Sequence, residues 1–208
     1  MKETSEAPGG GAQAPSESEL IRNRHDNLGK LVRLGHDAYP FGFPITATVS
    51  EIAERYRARS GEELERERIS AATAGRVLAQ RNQGKAGFLD LSDGRSRLQL
   101  YVRKDVVGDA GWELSRTLDL GDWIGVEGEM FKTRTGELSI KARKLTFLAK
   151  CLRPLPEKWH GLRDIERRHR QRYLDLAVNP ESRQVFETRA TIIRFIRRFL
   201  DERGYLEV

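Results

Sequence analysis

The chain has 208 residues, with 37 Lys and Arg against 31 Asp and Glu, a net charge of +6, and 38% apolar residues. That length admits one large domain or two small ones, and the basic balance permits a polyanionic partner without requiring one. The single cysteine, Cys151, excludes an internal disulfide. With no apolar leader and no run near the roughly 18 apolar residues of a membrane span, a soluble cytoplasmic protein with no membrane partner is expected.

Residues 1–15, rich in Gly, Ala, Pro and Glu, cannot bury enough surface to order themselves and read as a disordered tail. Residues 16–66 read as an N-terminal helical extension. Ser16-Glu17-Ser18-Glu19 has the form of a capping box, in which a hydroxyl and a carboxylate three residues apart satisfy each other's backbone N–H groups. The helix behind it carries Leu20, Ile21, Leu28, Leu31 and Leu34 and stops at Gly35, while Arg22, Arg24, Lys30 and Arg33 occupy its other faces. Pro40 and Pro44 bracket a turn-rich stretch. Thr48 with Glu51 then opens a second short helix that fades near Ser60.

From Ile69 the apolar period changes from helical to alternating, and residues 67–150 read as one β domain. Five strands are predicted over Ile69–Arg81, Gly87–Ser92, Arg97–Arg103, Asp122–Phe131 and Leu138–Leu148. Turns fall at Asp93-Gly94 and Gly136, and a short helix lies near Trp112–Leu118. Three strands, a helix and two strands is the order of an OB-fold, a small Greek-key barrel that binds oligonucleotides on one exposed sheet face. Residues 151–178 read as a linker, made extended by Pro154 and Pro156. The stretch from Lys150 to Arg172 holds eight Lys or Arg against three Asp or Glu. Asn179-Pro180 then supplies a helix N-cap and first residue. That helix reaches Arg203 and presents Val185, Phe186, Ile192, Ile193, Ile196, Phe199 and Leu200 as one apolar stripe. Gly204 stops it, and Tyr205-Leu206-Glu207-Val208 reads as the start of a strand. Residues 179–208 therefore look like a domain cut off as it begins. The fold class expected is mainly β: a five-stranded OB-fold barrel, N-terminal helices, and a long C-terminal helix opening an α+β domain.

Strand parity selects a candidate site. If Leu89, Leu91, Leu98, Leu100, Leu138 and Ile140 point inward, Phe88, Gln99 and Glu137 share the outer face. A ring beside an amide and a carboxylate suits an unstacked base. The ring is a stacking platform, glutamine can donate or accept, and a carboxylate can only accept, which favours uracil's N3–H over cytosine's bare N3. Arg81 would stack on a base or neutralise a phosphate. Against this, strand phenylalanines are more often core, and a one-residue slip would bury Phe88. The run from Arg163 to Arg172 is either a phosphate-binding stretch or, more commonly, a solvated face. His25, His36, His160 and His169 lack metal-site spacing, so no metal site is expected, and no catalytic constellation can be assembled.

Several long segments resemble bacterial class II lysine–tRNA ligases. They are Leu152-Arg153-Pro154-Leu155-Pro156-Glu157-Lys158-Trp159-His160-Gly161-Leu162, Arg170-Gln171-Arg172-Tyr173-Leu174-Asp175-Leu176, Gly84-Lys85-Ala86-Gly87-Phe88, Leu98-Gln99-Leu100-Tyr101-Val102 and Lys132-Thr133-Arg134-Thr135-Gly136-Glu137-Leu138-Ser139. Gly204-Tyr205-Leu206-Glu207-Val208 is similar to the opening of class II motif 1. The resemblance implies that the barrel grips the uridine-rich anticodon loop of tRNA-Lys. Phe88 would stack on a base, Gln99 and Glu137 would bond uracil edges, and Arg81 would assist. Arg22, Arg24 and Lys30 would add tRNA backbone contacts. Phe186, Ile193, Phe199 and Tyr205 would lie in a homodimer interface built on motif 1. The family joins lysine to tRNA using ATP and Mg2+. The motifs that hold them have no counterpart here, so no catalytic residue is assigned, no cofactor is expected to bind this chain, and it is expected to be inactive alone. Two other readings remain open: a freestanding OB-fold binding single strands without sequence preference, and an interaction module acting through the terminal helix.

Overall fold

The computed structural model describes residues 16–156 and 162–208. The expected tail, and residues 157–161 with His160, lie outside the described residues. Helix α1 spans Glu17–Arg33, and both halves of the Ser16–Glu19 capping box form: the Glu19 N–H donates to Ser16 Oγ at 3.3 Å and Ser16 N–H donates to the Glu19 carboxylate at 2.8 Å. Helix α2, Val49–Tyr56, opens on the same box between Thr48 and Glu51. Where this helix was expected to fade, Ser60 and Glu63 make a third box and start α3, Gly61–Glu67. Only Leu64 of α3 is buried, so no apolar stripe announced it. In all three boxes the N-cap backbone N–H, and then the N-cap side chain, hold the glutamate below the ordinary carboxylate range.

The barrel strands are β1 (Ser70–Gln83), β2 (Ala86–Ser92), β3 (Arg97–Arg103), β4 (Trp123–Lys132) and β5 (Leu138–Ala149), closed in the order β1-β2-β3-β5-β4. One long strand serves both sides of the ring. Residues Ser70–Arg76 of β1 pair with β4, Arg76–Gln83 pair with β2, and a bulge between Val77 and Ala79 marks the bend. All pairings are antiparallel except β3 with β5, which are parallel and share three residue pairs: Gln99 with Ser139, Leu100 with Ile140, and Tyr101 with Lys141. The alternation read from the sequence is the one observed. Val77, Leu89, Leu91, Leu98, Leu100, Val102, Ile124, Val126, Met130, Leu138, Ile140 and Phe147 fill the interior, each such side chain contributing about 1.5–3 kcal/mol.

Helix α4 covers Lys104–Thr117, longer than the expected turn or two near Trp112, because a break at Gly108 (φ 73°) joins two helical pieces. Its Trp112 and Leu114 pack on the barrel core. Phe43 lies over β4, its ring carbons 2.7 Å from where a Cβ on Gly125 would sit, so only glycine admits it there.

A buried ionic knot fastens α1 to the barrel. The Lys150 side chain is wholly buried, with Nζ 2.5 Å from Asp119 and 2.7 Å from Asp122. Asp122 also accepts the backbone N–H of Cys151 and Asp119, and Asp119 accepts the amide of Asn27 on α1. Such a charge is tolerated because each partner is bonded; removing one from a buried pair costs about 3–5 kcal/mol. Arg24, expected to reach a phosphate, is instead buried and donates to the Cys151 carbonyl at 2.6 Å. It is withdrawn from the candidate tRNA contacts.

The chain divides into two compact units, the second beginning at Leu155. The expected linker is partly helical: α5 (Ile165–Arg170) and α6 (Arg172–Val178) precede the long α7 (Pro180–Asp201). Their pivot is Asp175, buried and bonded by Asn179 at 2.7 Å, Arg168 at 2.8 Å, Ser182 at 3.1 Å and Arg172 at 2.5 Å. Burial pushes its pKa up, but those bonds outweigh it and hold the carboxyl at about 2. Asn179 is the residue before α7, yet its side chain makes no cap; it turns to Asp175 and the Leu162 carbonyl instead. Gly204 (φ 79°) follows the helix end as expected, while Tyr205–Val208 form no strand.

Candidate nucleic-acid interface

Because β-strand side chains alternate, the residues that do not fill the barrel share its outer surface. On the face made by β1, β2 and β3, Arg81 stands opposite Phe88, Phe88 opposite Tyr101, and Asp90 opposite Gln99. Phe88 is half-buried and stacks on Tyr101 with ring centroids 4.9 Å apart; Tyr101 in turn meets Phe131 of β4 at 6.0 Å. These two rings meet across β5, where Ser139 is paired with Phe131 on one side and Gln99 on the other. Three aromatic side chains in a row on a wet sheet face form a stacking surface larger than Phe88 alone. Tyr101 and Phe131 were not among the expected site residues. Tyr101 has the parity of Gln99, a signal available in the sequence; the approach of Phe131 follows from strand order, which is not.

Arg81, Gln99 and Glu137 come together with Asp90, Arg97 and Thr135 around one surface pocket of about 330 Å³. Arg81 makes an ion pair with Asp90 at 3.1 Å, which orients the guanidinium along the sheet. With the Arg81 side chain 59% exposed, this pair adds little stability and leaves the other guanidinium N–H groups for a ligand. Glu137 sits on the turn between β4 and β5. Thr133 N–H donates to its carbonyl at 2.9 Å, the Thr133 hydroxyl accepts its N–H at 3.0 Å, and Gly136 (φ 84°) closes the turn. The backbone is thus clamped while the carboxylate is exposed. Gln99 accepts from the Ser139 hydroxyl at 3.1 Å. The pocket offers an acceptor, an amide and a cation, and the ring of Phe88 stands beside Arg81 on the same sheet face.

Of the expected backbone contacts, Arg22 and Lys30 remain exposed on α1, with Lys30 donating to Asn27. In the Arg163–Arg172 run, Arg168 and Arg172 are committed to Asp175, and Arg170 pairs with Glu166. The run is therefore no continuous anion site. In the second unit, Phe186, Phe199 and Tyr205 are exposed and Ile193 half-buried, with Val185, Ile192, Phe195 and Ile196 also exposed on α7. Among the described residues, no group of three His, Cys, Asp or Glu could hold a metal, and no helix is long and apolar enough to cross a membrane.

Two family models match the chain: an OB-fold nucleic acid binding domain over residues 72–148, and class II tRNA synthetases of the D, K and N group over residues 164–208. The chain is 51% identical to a lysine–tRNA ligase of Moorella thermoacetica over 193 residues, covering 93% of this chain and 38% of the relative. It is likewise 51% identical to that of Bacillus cytotoxicus and 50% identical to that of Bacillus anthracis, each covering 89% of this chain and 37% of the relative. The chain thus spans just over a third of the length of these relatives.

Proposed function

The chain belongs to the lysine–tRNA ligase family, and from that premise we propose that its barrel recognises the anticodon loop of a lysine-accepting tRNA. The observation that carries this reading is the convergence of Arg81, Gln99 and Glu137 on one pocket, beside the Phe88–Tyr101 stack. In this reading Phe88 stacks on an anticodon base, Glu137 accepts uracil's N3–H, Gln99 bonds a uracil carbonyl, and Arg81 faces a phosphate or base. Exposed Arg22 and Lys30 add contacts to the tRNA backbone. The apolar stripe of α7, with Phe186, Ile193 and Phe199, together with Tyr205 beyond its end, is the dimer interface, and the protein works in the cytoplasm where tRNA is charged.

The whole ligase would activate lysine with ATP and Mg2+ and pass the lysyl group to tRNA. We assign that chemistry to the part of the relatives' length not spanned here. This chain's share is positioning: it holds the tRNA so that the acceptor end can reach an active site.

The test is titration of the chain with labelled anticodon stem-loops differing at one nucleotide. Tighter binding of a UUU loop than of loops carrying single C replacements is expected. Equal affinity for all would replace this reading with a single-strand binder lacking sequence preference.

A further inference from the structure

We propose that Ser139 is a positioning residue that fixes which way the Gln99 amide faces, making Gln99 a donor and so setting uracil against cytosine. This rests on the anticodon reading above and concerns how the same pocket discriminates.

Ser139 is fully buried, at 0% exposure, although its parity puts it on the outer side of β5. Its hydroxyl has one proton and two acceptors in reach, Gln99 Oε1 at 3.1 Å and the Glu137 carbonyl at 3.3 Å. Gln99 Oε1 is the nearer of the two, and the Glu137 carbonyl already has the Thr133 N–H at 2.9 Å, so the Ser139 proton is assigned to Gln99. The register holds this contact in place, because Gln99 and Ser139 are direct partners in the parallel β3–β5 pairing. With Oε1 held toward Ser139, the –NH2 group is the end of Gln99 free of a side-chain partner to meet a ligand in the pocket it lines. A primary amide is otherwise ambivalent: a half-turn exchanges donor and acceptor with almost no change of shape.

Of the two groups given to the base edge, Gln99 Nε2 then donates and the Glu137 carboxylate accepts. Uracil presents the complement on its 4-side, the O4 carbonyl beside N3–H. Cytosine presents an amine beside a bare nitrogen and is mismatched at both. Without the Ser139 hydroxyl the amide would be free to turn its oxygen toward cytosine's amine, removing one of the two mismatches.

The experiment compares Ser139→Ala and Gln99→Ala with the unaltered chain, by fluorescence anisotropy on stem-loops with U or C at each anticodon position in turn. At one position Ser139→Ala should bind the C loop more tightly while losing no more than about twofold on the U loop, one of two amide orientations being wasted. The U-over-C preference should fall about tenfold. A merely structural role would weaken both loops together. Gln99→Ala should weaken the U loop; if it changes nothing, the base-reading face itself is wrong. If Gln99→Ala weakens the U loop but Ser139→Ala keeps the original preference, or lowers both loops in proportion, the role given to Ser139 is overturned. Should Ser139→Ala fail to fold, Ser139→Cys, similar in size but a poor donor, reads the same ratio: a fall in preference supports the role, and an unchanged preference overturns it.

Discussion

Phe88 holds a phenyl ring partly in water, supported by Tyr101 at 4.9 Å rather than by the barrel interior. Phe88→Ala should therefore leave the melting temperature nearly unchanged while weakening stem-loop binding by about 1–3 kcal/mol. Since every base has a stacking face, UUU and CCC loops should lose alike in the same titration, whereas Glu137→Gln should penalise only the UUU loop. A large drop in melting temperature for Phe88→Ala would mean that the ring is core. The outward placement of Phe88, Gln99 and Glu137 was legible because Leu89, Leu98, Leu100 and Leu138 mark the inward parity beside them, and a period of two leaves one alternative. Arg24 was not legible: its partner is a backbone carbonyl 127 residues away, and no spacing rule distinguishes an arginine that reaches one from an arginine that reaches a phosphate. Ser139 has outward parity yet is buried, and its register neighbours Gln99 and Phe131 come from other strands, which spacing along one strand does not reveal.

Elements with their own start signal were read well. The Ser16 and Thr48 boxes each open a helix where the hydroxyl and glutamate stand three residues apart. Ser60 with Glu63 gives the same signal for α3, obscured because one buried leucine makes no stripe. Helices α5 and α6 were hidden for a different reason: what organises them is a carboxylate, Asp175, with four donors from three segments, and charge runs read from sequence look like solvated surface. This element carries a pH dependence. The folded pKa of Asp175, about 2, lies below its ordinary 3.8, so the ionised form is the one stabilised. Its contribution is complete above about pH 4 and is lost as the pH falls toward about 2. Circular dichroism during acid titration should show helix lost in that window. Asp175→Asn, which cannot ionise, should show lower helicity at neutral pH and no step there. An unchanged step in the variant would assign it to another carboxylate.

At the scale of the whole molecule, the two units differ in how completely they bury themselves. The barrel unit encloses a continuous core, whereas α7 carries Val185, Ile192, Phe195, Ile196, Phe199 and Leu200 at 40% exposure or more. Apolar surface of that extent marks a contact site. The chain should therefore self-associate, with sedimentation velocity showing a concentration-dependent dimer. Phe199→Glu together with Ile196→Glu should return it to monomer without altering stem-loop affinity. A monomer at every concentration would remove the dimer role given to this helix. The division into units was only partly legible: residues 151–178 read as linker because Pro154 and Pro156 look like boundary signals, while the packing of α5 and α6 uses polar bonds that leave no hydrophobic period.

The ring of strands is closed most thinly between β3 and β5, by three residue pairs, and Gln99 and Ser139 form the first of them. Everywhere else neighbouring strands run antiparallel over longer stretches. A seam this short is where the cylinder would breathe first, and amide hydrogens along 98–101 and 138–141 should exchange with solvent sooner than those of β1 and β2. A base held by Gln99 on one lip and Glu137 on the other would stitch that seam. Loading the chain with a UUU loop should therefore slow exchange at those residues beyond any protection seen in β1, and a C-substituted loop should do so less. Recognition and closure of the barrel would then be one event, with the correct triplet acting as a sixth edge.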